Sequence, residues 1–208
     1  MNMFSEPQSR AAKKTATAKA VLAAARDEFE RVGFEAANIR AIAARAKVAA
    51  GTVIHHYGDK RELLHAALFE DLEQTLQRAV ADLGPAPLDR QLEKLTRAVF
   101  RYYQKRPSLS RTVLKESLFA DPPWAQRFAG QVATVHAAIA RLAAEAKARG
   151  ELREDVDVAL LGVAYFSFFY FALIAWVQGG HDNPVALVVR LVQQHLEGLR
   201  PQNRRKSR

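Results

Sequence analysis

Apolar residues recur along most of the chain at spacings of three and four, which is the period of an amphipathic α-helix. Glycine, proline and capping residues separate the periodic segments, and no alternating strand pattern is visible. The sequence therefore predicts an all-α fold of about nine helices. The predicted helices cover approximately 15–32, 39–46, 50–57, 60–83, 88–104, 109–119, 124–149, 158–178 and 184–199.

Residues 39–60 contain two short predicted helices joined by a tight turn. In the first helix, Ile39, Ile42 and Ala43 fall on one apolar face, and Asn38 precedes them as a candidate N-cap. The turn follows at residues 47–49. This pattern predicts either a helix-turn-helix or an ordinary helical hairpin, and the stretch alone leaves both open.

The second of these helices, 50–57, is small, and its outer face is polar. Val53 and Tyr57 are four residues apart and are predicted to face inward. The remaining arc carries Thr52, His55 and His56. Such a helix fits the major groove of DNA, which is about 12 Å wide. In a helix-turn-helix the second helix reads base edges.

The residues around this stretch match a known pattern at fixed spacing. They are Val21-Leu22, Ala24-Ala25, Phe29, Gly33-Phe34, Ile42-Ala43, Ala46, Val48, Gly51-Thr52-Val53, His56-Tyr57, Lys60 and Leu63-Leu64. In this register, residues 15–65 resemble the DNA-binding domain of the TetR family of transcriptional regulators. Many matches in one register are far more specific than a single short motif.

The resemblance implies a homodimeric regulator, most often a repressor, that binds a palindromic DNA operator and responds to a small-molecule ligand. It also implies DNA contacts by Arg40, Thr52, His55 and Lys60. From their positions on the two short helices we add six candidate DNA-binding residues: Asn38, Lys47, Ala50, Gly51, Ile54 and His56. For Asn38 we favour the cap, and for His56 we favour packing within the domain.

Three residues depart from the family pattern. Lys47 stands where the family has a turn glycine, Ala49 replaces a capping serine, and Ile54 replaces a tyrosine. A lysine with positive φ costs about 1–2 kcal/mol, so the turn is strained, reshaped, or offset by a phosphate contact. These departures leave an alternative open, which is a small-molecule-binding helical protein with a degenerate DNA-binding domain.

The charge of the chain is unevenly distributed. The net charge of +9 divides into +4 for residues 1–60, zero for 61–199 and +5 for 200–208. A basic module beside a neutral body is typical of a protein that binds polyphosphate. For the C-terminal excess we favour a solubilising tail.

The predicted domains are a flexible arm (1–14), a helix-turn-helix domain (15–65), a helical ligand-binding and dimerisation domain (66–199), and a flexible basic tail (200–208). The helix from residue 60 crosses the boundary near residue 66 without a linker. There is no cysteine, which fits the cytoplasm. We expect no enzyme activity, no cofactor and no metal site, because no corresponding motif is visible.

The C-terminal helices are rich in aromatic side chains, which at helical spacing usually form core. Their density and the hydroxyl groups among them nevertheless suggest a pocket for a small apolar or aromatic effector. The candidate ligand-binding residues are Tyr102, Tyr103, Trp124, Phe128, His136, Tyr165, Phe166, Phe169 and Tyr170.

Residues 158–177 are twenty residues without a charge, which is enough to cross a bilayer. Tyr165, Ser167 and Tyr170 interrupt the apolar run. We favour a helix that is buried on nearly all sides, partly in a bundle core and partly in a homodimer interface formed by 158–178 and 184–199. A membrane-anchored protein is the less favoured alternative.

Overall fold

The computed structural model describes residues 10–118 and 121–201, and within these ranges all regular secondary structure is helical. The helices are α1 (Arg10–Ala36), α2 (Ile39–Arg45), α3 (Ala50–Tyr57), α4 (Lys60–Ala81), α5 (Leu88–Gln104), α6 (Pro107–Leu118), α7 (Trp124–Ala148), α8 (Val158–Val177) and α9 (Pro184–Leu199). The predicted all-α fold is confirmed.

The chain divides into two compact units, Met1–Asp71 and Leu72–Arg208. The division falls inside α4, so this helix contributes residues to both units. The sequence placed the boundary near residue 66, whereas Leu68 and Phe69 still belong to the N-terminal unit. The apolar stripe of α4 runs through the boundary without a break, and therefore gives no local signal of its position.

The N-terminal unit is built around apolar side chains from four helices. Each helix contributes an almost completely buried residue: Phe29 from α1, Ile42 from α2, Val53 from α3 and Leu63 from α4. These residues were predicted to face inward from their spacing. The guanidinium of Arg26 on α1 donates to the carbonyl of Ala67 at 3.0 Å, which ties α1 to α4 within this unit.

Helix α1 begins at Arg10, five residues earlier than predicted. Thr15 lies inside the helix, where its hydroxyl donates to the carbonyl of Ala11. Residues 10–14 of the predicted arm are helical, while 1–9 of the arm and 202–208 of the tail lie outside the described residues. The first turns lack an apolar stripe, but alanine, lysine and arginine have high helix propensity.

Four side-chain N-caps are present, of which Asn38 was predicted above. The side-chain oxygens of Asn38, Asp59, Asp157 and Asn183 accept hydrogen bonds from backbone N–H groups at 2.8, 2.9, 2.9 and 3.0 Å. Each cap marks the start of a predicted helix. Pro107 differs from the prediction, because it is the first residue of α6 rather than a break before it. Proline is tolerated in a first helical turn.

The C-terminal unit has one continuous apolar core, to which all helices from α4 to α9 contribute. Helix α8 lies between α7 and α9 in this arrangement and packs against both. At Gly162 the two backbones of α7 and α8 come very close, since a Cβ atom there would lie 3.1 Å from the carbonyl oxygen of His136. A larger residue at this position would push the helices apart.

Helix α8 is buried on one side only within the chain. Tyr165 and Phe169 point into the core, whereas Leu160 and Phe171 are 63% and 59% exposed. In the part of the chain that the structure describes, α8 is also the one helix long and apolar enough to span a membrane. The chain alone therefore leaves one apolar face of this helix uncovered.

The turn between α2 and α3 closes as a Schellman motif. The backbone N–H of Val48 donates to the carbonyl of Ala43 at 3.0 Å, and that of Lys47 donates to the carbonyl of Ala44 at 3.1 Å. Lys47 has φ of 57° and is the one non-glycine residue with positive φ among those described. The turn keeps the left-handed conformation that glycine adopts freely, so the lysine is strained rather than accommodated by a different turn.

We therefore expect Lys47→Gly to raise the free energy of unfolding by about 0.5–1 kcal/mol, because relief of the left-handed strain exceeds the added entropy of glycine in the unfolded chain. Urea unfolding followed by circular dichroism measures this change. Lys47→Ala is the matched control, since it removes the charge and keeps the strain. A glycine variant less stable than the alanine variant would contradict the assignment of strain.

Candidate DNA-binding surface and ligand cavity

The α2–turn–α3 segment has the geometry of a helix-turn-helix. Helix α2 packs against α1 and α3. Val53 is the fully buried residue of α3, so it sets the rotation of that helix. The arc opposite Val53 faces solvent and carries the exposed side chains of Ile54, His55 and His56.

None of the ten candidate DNA-binding residues is fully buried. The exposed ones are Asn38, Arg40, Lys47, Gly51, Ile54, His55 and His56, whereas Ala50, Thr52 and Lys60 are half-buried. His56 was expected to pack within the domain, and this expectation is wrong. Its ring is exposed and lies 5.5 Å from the ring of His55 and 6.2 Å from that of Tyr57.

Lys60 is engaged with its own domain, which differs from the expected role of a free cation. Its ammonium donates to the carbonyl of Glu35 at 2.9 Å and lies 4.6 Å from the centre of the Phe34 ring. These contacts hold the start of α4 against the end of α1. An ammonium has three donors, so Lys60 keeps donors for a further contact, but its position is set by the protein.

A buried carboxylate joins α1 to α2, and sequence reasoning missed it. Glu28 is 2% exposed. Its oxygens lie 2.9 Å from the guanidinium of Arg31 and 3.4 Å from that of Arg45. Glu28 falls three residues after Ala25, on the apolar stripe of α1, and a charged residue in an apolar stripe was the signal. Arg45 is thereby held at the end of α2.

The C-terminal unit encloses a narrow cavity of about 60 Å³. Its lining comes from α4, α5, α7 and α8, and consists of Leu72, Leu76, Leu95, Val99, Tyr103, Phe128, Gln131, Val132, Val135, Tyr165, Phe166, Phe169 and Tyr170. Six of the nine candidate ligand-binding residues are in this set, whereas Tyr102, Trp124 and His136 are not. The aliphatic lining was missed, because its spacing is that of any helix core.

The tyrosine hydroxyls of the cavity carry no charge. The hydroxyl of Thr96 donates to the carbonyl of Leu92 at 2.7 Å, so the hydroxyl of Tyr165, 2.9 Å away, donates to Thr96. Burial raises the pKa of Tyr165 well above its ordinary value, and the bond to Thr96 only partly opposes this. Burial likewise raises the pKa of Tyr103, with smaller contributions from Tyr102 and Tyr170. The lining is therefore neutral.

His136 lies next to the cavity without lining it. Its ring meets that of Phe166 edge-on, with centroids 5.4 Å apart. Its Nε2 atom is buried and has no hydrogen-bond partner among the described residues.

A wider groove of about 610 Å³ adjoins the cavity between α4 and α7. The two share Leu76, Gln131 and Val135. The groove adds polar side chains, among them Arg127, whose guanidinium lies 3.5 Å from the carboxylate of Glu73. Sequence reasoning missed this groove, since its polar residues lie on the outer faces of two helices that are distant in sequence.

The fold and the α2–turn–α3 geometry define this protein as a helix-turn-helix protein with a separate helical unit. A sequence profile described as bacterial regulatory proteins, tetR family, matches residues 21–67. The match covers the region that contains α2, the turn and α3, so this part of the chain has the pattern of a TetR-family DNA-binding domain.

Two relatives and one solved structure show the extent of the similarity. The chain is 34% identical over 126 residues to the HTH-type transcriptional repressor KstR of Rhodococcus jostii strain RHA1, covering 59% of this chain and 56% of that protein. The match thus spans less than two thirds of KstR. The chain is 26% identical over 141 residues to the HTH-type transcriptional regulator UidR of Escherichia coli K12, covering 67% of this chain and 71% of UidR. The transcriptional regulator FadR from Bacillus subtilis, solved in complex with stearoyl-CoA, superimposes with a TM-score of 0.72 at 20% identity, covering 87% and 98%.

Proposed function

We propose that the protein is a ligand-responsive transcriptional regulator, a repressor that binds a palindromic operator as a homodimer. The observation that carries this proposal is the orientation of α3. Its buried Val53 turns Ile54, His55 and His56 toward solvent, as required of a helix that enters the major groove.

The departures from the family pattern support a functional DNA-binding domain rather than a degenerate one. The turn keeps its Schellman hydrogen bonds although Lys47 replaces the family glycine. The exposed ammonium of Lys47 lies in the turn between the two helices, and the exposed guanidinium of Arg40 lies on α2. Phosphate contacts from such residues position a helix-turn-helix on the duplex. A domain that had lost this function would have no need to retain a strained cation at the turn.

The effector that best suits the C-terminal unit has an apolar chain and a polar head. The cavity is neutral and largely apolar, and the adjoining groove offers Gln77, Arg127 and Thr134 to a polar group. The groove volume of about 610 Å³ falls in the range of about 300–1,000 Å³ that is usual for ligand sites. The stearoyl-CoA in the FadR complex is a molecule of this chemical kind.

The response to the effector is assigned to α4. With a volume of about 60 Å³, the cavity would widen to admit an acyl chain, and Leu72 and Leu76 of α4 form part of its wall. These residues belong to the same helix as Leu63, which is buried in the N-terminal unit. A shift of α4 is therefore felt in both units, which is what coupling of two sites requires.

The exposed apolar face of α8 is assigned to the homodimer. Leu160, Val163 and Phe171 lie on one side of this helix, and α9 packs beside it. Pairing of this face with its own copy would bury all three in an isologous interface. The alternative is insertion of α8 into a membrane.

The first test is salt-dependent binding to double-stranded DNA, with a duplex selected from a randomised pool. We expect specific binding that Lys47→Ala and Arg40→Ala each weaken, with the slope of log affinity against log salt falling by about 2 per dimer, because each protomer loses one phosphate contact. Lys115→Ala, an exposed lysine of the C-terminal unit, is the control. A wild-type protein without preference for any duplex would show that the DNA-binding domain is degenerate.

The second test fills the cavity. Val132→Phe places a larger side chain into the lining, and we expect at least tenfold weaker binding of stearoyl-CoA, measured by titration calorimetry, with operator affinity unchanged. The added volume costs about 1–3 kcal/mol of stability at most. The adjacent exposed residue supplies the control variant, Ala133→Phe. Equal stearoyl-CoA binding by the two variants would place the effector elsewhere.

The third test introduces a charge on α8. Phe171→Glu buries an uncompensated carboxylate from each protomer in the proposed interface, at about 3–5 kcal/mol, so dimer dissociation should become more than 100-fold more favourable. Light scattering after size-exclusion chromatography measures the mass. The control is Ala144→Glu, at an exposed site on α7. A dimer that survives the first substitution, or a wild-type chain that sediments with membranes, would refute this interface.

A further inference from the structure

Helix α3 presents one large apolar side chain to solvent. Ile54 is 51% exposed, and the comparably exposed large apolar residues in the described part of the chain, Leu160, Val163 and Phe171, all lie on α8. A single exposed isoleucine is ordinary on a protein surface. Ile54 differs because it stands on the arc of α3 that the proposed function turns toward DNA.

The residues that share a face with Ile54 are small. In a helix these are the residues three and four positions earlier, and the side chain leans over them toward the N-terminus. Here they are Gly51 and Ala50, and a Cβ atom at Gly51 would meet nothing within 4 Å. Ile54 therefore projects beside two residues without polar side-chain atoms, on a surface open to close approach.

The chemistry of isoleucine limits what it can recognise in a groove. It has no donor or acceptor, so a base edge that presents only nitrogen and oxygen atoms would lose its hydration and gain no hydrogen bond. The major groove contains one apolar feature, the C5-methyl group of thymine. Contact between the isoleucine side chain and that methyl group removes apolar surface of both partners from water.

The charges around α3 determine the partner. Lys47 and Arg40 are exposed at the turn and on α2, and His55 follows Ile54 directly on the outer arc. A polyanion is attracted to such a surface, whereas an apolar protein partner would have to desolvate these cations. A DNA duplex with a thymine at the contacted position offers phosphates to the cations and a methyl group to Ile54.

We propose that Ile54 is a specificity-determining residue that reads the C5-methyl group of a thymine in each operator half-site. This inference rests on the proposed function, since it requires α3 to lie in a major groove. It assigns a base to a position where the family pattern has a tyrosine.

The test uses a duplex selected by the wild-type dimer from a randomised pool. Each thymine of the half-sites is replaced in turn by deoxyuridine, which lacks the methyl group and keeps the hydrogen-bonding edge. For the wild type, one replacement should weaken binding about fourfold in one half-site and about fifteenfold in both, as expected for one buried methyl group per site. Fluorescence anisotropy at fixed salt measures the affinities.

The variants separate Ile54 from its neighbours. Ile54→Ala should bind the thymine and deoxyuridine duplexes equally, whereas Ile54→Val should retain most of the difference. Thr52→Ser removes the methyl group of a neighbouring candidate DNA-binding residue and should keep the full difference. Because Ile54 is exposed, these variants should fold as the wild type does, and circular dichroism verifies this.

Two results would overturn the inference while leaving DNA binding intact. One is a wild type that binds its selected duplex specifically yet tolerates deoxyuridine at every position. The other is a deoxyuridine effect that persists in Ile54→Ala or disappears in Thr52→Ser. A wild type that selects no duplex would instead refute the proposed function itself.

Discussion

The burial of Val53 is the interaction on which the DNA-binding surface depends. Helix α3 has eight residues and one fully buried side chain, so this contact sets its rotation. The Schellman turn at Lys47 sets where the helix begins. Because the rotation and the starting point of α3 are both fixed, the residues that face outward are set before any DNA is present. Such preorganisation lowers the cost of ordering that binding would otherwise incur.

The cavity of the C-terminal unit is narrow, with a volume of about 60 Å³, so it is not preorganised for a large ligand. The buried hydroxyls of Tyr165 and Thr96 satisfy each other and the carbonyl of Leu92, so they do not pull water into the cavity. The lining contains no charged side chain, and burial raises the pKa of Tyr103 and of Tyr165. Under the proposed function, an apolar chain could enter without displacing charge, and the helices around the cavity would separate to admit it. A ligand that must move helices to bind is one that can alter the protein's conformation.

Much of the fold could be predicted from the sequence, since apolar spacing and the side-chain caps mark the helices directly. The predicted bounds of α3 and α5 agree with the structure. The start of α1 was missed because residues 10–14 have helix propensity without an apolar stripe. The contact of Lys60 with Glu35 depends on a tertiary approach that no local pattern encodes. The cavity lining was predicted only where it is aromatic, because Leu95 or Val99 in a cavity has the same spacing as in a core.

The departures at the recognition helix can be interpreted together. Ala49 and Ile54 remove hydroxyls that the family pattern offers to the helix cap and the phosphates, whereas Lys47 adds a cation at the turn. A hydroxyl and a cation can each donate a hydrogen bond to a phosphate, but only the cation also neutralises its charge. Under the proposed function, the substitutions would shift affinity from α3 to the turn. Helix α3 could then use Ile54 for apolar recognition, which would give the strain at Lys47 and the exposure of Ile54 a common explanation.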